Sequence, residues 1–89
     1  MDLLKRLIDL DEKVIEDGVN PELCLELENI IDGILQLDDF DKTRLDADNL
    51  YMCNQLGVTS YSTFAVTMEN AIVSLSEFLH PVPEDYLLF

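Results

Sequence analysis

The sequence predicts an all-α fold: a small, single-domain antiparallel bundle of about four helices. In four segments apolar residues recur at intervals of three and four, which is the spacing of one helix face. Residues that favour helix starts and stops lie at the ends of these segments, and the connections between them are short. The 89 residues suit one domain, and a hydrophobic content of 48% suits one core. We expect the bundle to span residues 1–80 and a Pro-containing acidic and apolar tail to span residues 81–89.

The first two helices have start and stop signals. Helix 1 is predicted from about Asp2, an N-cap residue, to Asp17, just before Gly18. Helix 2 follows Asn20 as N-cap, with Pro21 at the first helical position. Its apolar side chains form one wide face: Leu23, Leu27, Ile30, Ile31, Ile34 and Leu37.

The third helix has a weaker pattern. We predict it from about Asp41 or Lys42 to Leu56, with its end at Gly57. Its apolar residues form no single stripe, which favours a helix buried on two sides or a short, irregular one.

The fourth helix has the clearest pattern. Thr59 or Ser60 caps its start, and the segment His80-Pro81 stops it. Between them apolar residues repeat with heptad spacing: Tyr61, Phe64, Ala65, Met68, Ala71, Ile72, Leu75, Phe78 and Leu79.

The net charge of −14 narrows the range of functions. Five basic side chains face nineteen carboxylates, and fourteen of these carboxylates lie within residues 9–48. This balance opposes direct binding to nucleic acid or to an anionic membrane, and no apolar run is long enough for a membrane span. The two cysteines, Cys24 and Cys53, belong to no CxxC motif, so we expect free thiols in a reducing cytoplasm. The alternative, a Cys24–Cys53 disulfide, requires two different helices to bring these residues together.

Known catalytic and metal-binding patterns are missing from the sequence, so we expect no enzyme, cofactor or metal site. The one histidine, His80, precedes a proline at a helix end, a position that favours a surface or capping role. The segment that begins at Asp39 matches a calcium loop at its first and third positions. It fails at the sixth, Arg44, and at the twelfth, Leu50.

The acidic surface suggests a binding function. We predict a protein that binds and inhibits a basic partner, with a nucleic-acid-binding protein as the expected partner, because carboxylates can occupy a phosphate-binding groove and speed association. In size and charge alone the chain is similar to phage-encoded nucleic-acid-mimic inhibitors and to immunity proteins against nuclease toxins. Leu25 would supply an apolar anchor. The predicted partner-binding residues are Glu22, Leu25, Glu26, Glu28, Asp32, Asp38, Asp39 and Asp41.

An alternative interpretation makes the chain a self-assembly module or small subunit, a homodimer for example, whose charge serves only solubility. In that case apolar side chains control the oligomeric state, and Leu25, Tyr51 and the tip 86–89 are the candidates. The tip could instead fold back over the bundle.

Overall fold

The computed structural model describes residues 2–80, which form the predicted all-α bundle of four helices. The predicted tail, including the tip 86–89, lies outside the described residues. The helices are α1 (Leu3–Asp17), α2 (Pro21–Leu35), α3 (Asp48–Leu56) and α4 (Tyr61–Leu79). None of them combines the length and the apolar character needed to cross a membrane.

Local capping explains most of the helix ends. The Asp2 carboxylate accepts a hydrogen bond from the Leu4 amide at 3.0 Å, and the Asn20 side chain accepts one from the Leu23 amide at 2.9 Å. Ser60, one of the two predicted candidates, caps α4 by accepting from the Thr63 amide. These contacts satisfy amide groups that a helix start leaves without partners, and they confirm the predicted starts of α1, α2 and α4.

The predicted start of the third helix is wrong. Residues Lys42–Arg44 form a single 3₁₀ turn, and α3 begins only at Asp48. The Asp41 side chain caps this turn, after which the chain extends so that Leu45 and Ala47 become buried in the core. The free energy gained by burying these two side chains exceeds the helix propensity lost when the chain extends, and α3 is therefore short.

The core is one apolar cluster shared by all four helices. Nine of its large side chains are less than 2% exposed and come from every helix: Leu7, Leu10, Leu27, Ile30, Ile31, Ile34, Leu50, Phe64 and Leu75. At Gly33 of α2 an added Cβ would lie 3.1 Å from the Leu3 side chain, so this glycine lets α1 pack closely on α2.

Side-chain contacts define the antiparallel arrangement. Leu3 at the start of α1 lies beside Gly33 near the end of α2, so these helices run in opposite directions. The chain before α3 is held to the end of α4, because Ser74 donates a hydrogen bond to the Arg44 carbonyl at 3.3 Å. Phe40 packs edge-to-face on Phe78, with ring centroids 5.4 Å apart, and anchors the acidic connection after α2.

Candidate partner-binding surface

The carboxylates of α2 are divided between two edges, because α1 and α3 pack along either side of the helix. On the α1 edge, Arg6 Nη2 lies 2.7 Å from Glu26 Oε1 in an ion pair. Asp9 and Lys13 of α1 line the same shallow depression as this pair. Cations from α1 therefore offset the negative charge on this edge.

On the α3 edge, the described part of the chain contributes only neutral hydrogen-bond donors to the carboxylates of α2. Glu28 Oε2 accepts a hydrogen bond from Asn54 Nδ2 at 2.7 Å, and Asp32 Oδ1 accepts one from the Tyr51 hydroxyl at 2.8 Å. These bonds hold Glu28 and Asp32 in defined positions, and neither carboxylate forms an ion pair with a cation of residues 2–80.

Tyr51 is the centre of this acidic edge. Burial, followed by the hydrogen bond to Asp32, raises the pKa of Tyr51 well above its ordinary value, and the negative charges of Glu28 and Asp48 raise it further. Every charge that contributes to the shift is a carboxylate. We call Glu28, Asp32 and Asp48 the Tyr51 cluster.

Sequence reasoning left Asp48 out of the site. The predicted third helix started too early, which placed Asp48 in the interior of that helix. In the structure Asp48 is the first residue of α3. An acidic residue in a first turn interacts favourably with the helix dipole, and that was the available signal. Asp48 lies three residues before Tyr51 in α3, so the helical period brings the two together, whereas the contact of Tyr51 with Asp32 depends on how α3 packs on α2.

The surface of α2 that carries Glu28 and Asp32 continues through Leu25 to Glu22 in the first turn. We call these four residues the exposed ridge of α2. Leu25 lies three residues before Glu28 and is 58% exposed. Glu22 lies a further turn back and is also exposed. An exposed apolar side chain thus lies between carboxylates on one helix surface.

The three other predicted carboxylates follow the carboxyl end of α2. Asp38, Asp39 and Asp41 are exposed there, at the opposite end of the helix from Glu22, whereas Asp32 lies within one turn of that end. Asp39 has a left-handed backbone, with φ of 65°. Hydrogen bonds from the Thr43 hydroxyl and amide lower the pKa of Asp41.

Most carboxylates remain outside ion pairs. Within residues 2–80 the ion pairs are Arg6–Glu26 and Arg44–Glu77. In the same part of the chain no three His, Cys, Asp or Glu side chains are placed to hold a metal ion. Cys24 and Cys53 are free thiols.

Comparison of the chain with protein-family models, with curated proteins and with solved structures finds no match.

Proposed function

We propose that the chain is a non-enzymatic acidic protein that binds a basic protein and inhibits it by covering the surface on which that protein holds nucleic acid. The observation that carries this proposal is the Tyr51 cluster: three carboxylates on two helices, of which Glu28 and Asp32 are held by hydrogen bonds from neutral groups, and none of which is in an ion pair within residues 2–80. Fixed charges of one sign favour a partner of the opposite sign.

The geometry suits an extended basic surface. Glu28 and Asp32 are one helical turn apart, a spacing of about 5–6 Å, and Glu22 adds a third carboxylate nearer the start of the same helix. The net charge of −14 accelerates association with a basic surface through long-range attraction. Leu25 of the exposed ridge adds apolar contact where water is excluded.

Affinity capture from host lysate, with increasing salt and with duplex DNA as competitor, tests the proposal. We expect a nucleic-acid-binding protein that both salt and DNA release. A partner that survives both treatments would contradict the proposal and indicate an apolar interface.

Two triple variants of equal charge locate the binding surface. The test variant is Glu28→Gln, Asp32→Asn and Asp48→Asn, which keeps side-chain acceptors for Asn54 and Tyr51. The control variant neutralises three exposed carboxylates of α1: Glu12→Gln, Glu16→Gln and Asp17→Asn. We expect the test variant to lose the partner and the control to retain it. Equal loss in both would show that only net charge matters.

A second candidate function, self-assembly, is supported by a different surface. A groove of about 280 Å³ runs between α1 and α4, and its lining includes Asp11. Ile8 and Ile15 lie one turn on either side of Asp11, and Ile15 is 71% exposed. Tyr51, by contrast, packs against the core and donates to Asp32, so it is a weaker candidate for a dimer contact.

Sedimentation of the purified chain and of an Ile15→Glu variant tests this second function. Assembly through the α1–α4 groove predicts a dimer that the substitution dissociates. A monomer at micromolar concentration would contradict self-assembly.

A further inference from the structure

A groove of about 230 Å³ opens where the start of α2 meets the end of α3. Val19, Pro21 and Leu25 supply apolar surface, and the Glu28 carboxylate lies in the same lining. The lining contributed by residues 2–80 includes no Lys or Arg. The groove therefore combines an apolar wall with one negative charge.

Hydrogen bonds hold the polar end of the groove in place. Asn54 Nδ2 donates to the Cys24 carbonyl at 3.3 Å as well as to Glu28 Oε2, and the Thr59 hydroxyl donates to Asn54 Oδ1. Since one oxygen of Glu28 takes the Asn54 bond, the other is available to a further donor. The site is thus preorganised for a group that donates hydrogen bonds.

We propose that this groove takes one Lys or Arg side chain of the basic partner, with the methylene stem against Val19, Pro21 and Leu25 and the cationic head on Glu28. This inference rests on the proposed function and specifies part of its interface. Lys and Arg side chains bury their stems along apolar surface while the charged head stays near water, and the half-buried carboxylate meets that need.

Size and charge both favour this occupant. Pockets for small ligands usually have volumes of about 300–1,000 Å³, so 230 Å³ suits a single side chain better than a cofactor. A purely aliphatic side chain would leave the Glu28 charge next to apolar surface without compensation, whereas a cationic head forms a charge-assisted hydrogen bond with it.

The experiment is a titration of the full chain, isotope-labelled for nuclear magnetic resonance, with an amidated lysine hexamer at low salt. Hexamminecobalt(III), a cation without a methylene stem, is the comparison ligand. Three variants are titrated with both ligands: Glu28→Gln, Leu25→Ala and the matched control Glu12→Gln, which alters an exposed carboxylate of α1. Glu28→Gln removes the charge but keeps an acceptor for Asn54, so the groove should stay folded.

We expect the lysine hexamer to shift the amide signals of Leu25, Asn54 and Thr59. Its affinity should fall about tenfold in Glu28→Gln and about threefold in Leu25→Ala. Glu12→Gln should leave the affinity unchanged. Binding of hexamminecobalt(III) should not respond to Leu25→Ala, because that ligand has no stem to pack.

The two proposals fail in different ways. Lysine-hexamer binding that high salt abolishes but that neither groove variant weakens would overturn the groove assignment and leave the acidic surface as the binding site. An equal loss of lysine-hexamer affinity in Glu12→Gln and Glu28→Gln would also overturn the groove assignment. Absence of binding even at low salt would overturn both proposals.

Discussion

Replacing Tyr51 with Phe should destabilise the protein at neutral pH and have little effect at alkaline pH. The Tyr51 hydroxyl donates to Asp32 at 2.8 Å, and Asp32 is itself exposed. A hydrogen bond to a charged group contributes about 1.5–3 kcal/mol when buried. Solvent reaches this one, and the substitution leaves Asp32 in contact with water, so we expect a loss of about 1 kcal/mol. For a domain of this size that lowers Tm by about 4–8 °C.

The pH dependence follows from the direction of the pKa shift. The folded state holds the pKa of Tyr51 above its ordinary value, so its contribution to stability is complete below about pH 10, the pKa of an unfolded tyrosine. Above that pH the unfolded phenol ionises first, and the free energy of unfolding of the wild type falls. The Phe variant has no phenol at this position and lacks this loss. The difference in unfolding free energy between the two proteins should therefore shrink towards zero near pH 11.

Urea unfolding followed by circular dichroism, at a series of pH values from 7 to about 11, measures this difference. Burial also raises the pKa of the Cys24 thiol, but that contribution is shared by both proteins and cancels. Tyr61→Phe is the matched control, because Tyr61 is 61% exposed; we expect it to change stability by less than about 0.5 kcal/mol. A stability difference between wild type and Tyr51→Phe that stays constant with pH would refute the reasoning. So would an equal pH-dependent decrease in the difference between wild type and Tyr61→Phe.

Three further substitutions have expected effects on the urea unfolding free energy. Gly57→Ala should cost about 1 kcal/mol, because Gly57 ends α3 with a left-handed φ of 70°; no loss would contradict that conformation. Gly33→Ala should stabilise by about 0.5 kcal/mol, since the gain in helix propensity exceeds the cost of shifting a half-buried leucine tip at 3.1 Å; a net loss would show that this tip is held rigidly. Glu26→Lys should cost about 1 kcal/mol, because it replaces a partly exposed ion pair with repulsion against Arg6. Glu22→Lys, on the exposed ridge, should be close to neutral and serves as its control.

The expected effect of Glu26→Lys also bears on how binding is tested. Charge reversal at Glu26 combines lost negative charge with lost stability, so reduced binding by such a variant has two explanations. Neutral amides at Glu28 and Asp32 keep the acceptors that Asn54 and Tyr51 use. The Tyr51 cluster is therefore the better place to separate charge from folding.

Local signals in the sequence were sufficient for most of the fold. Asn20 with Pro21, and Ser60 with its Thr63 contact, act within one turn of chain, so capping rules identify them without knowledge of the neighbours. The start of α3 was mispredicted for the opposite reason. Whether Leu45 continues a helix or extends into the core depends on space left by other helices, which no local pattern contains.

The sequence by itself determined the charge and the helical class, because these depend only on residue types and their spacing. Tertiary packing alone decided which carboxylates share a site. Helical periodicity placed Glu26, Glu28 and Asp32 on one face, yet α1 brought a cation to Glu26 while α3 brought neutral donors to Glu28 and Asp32. The period of a helix determines which of its side chains lie together, but the groups that contact those side chains come from the neighbouring helices.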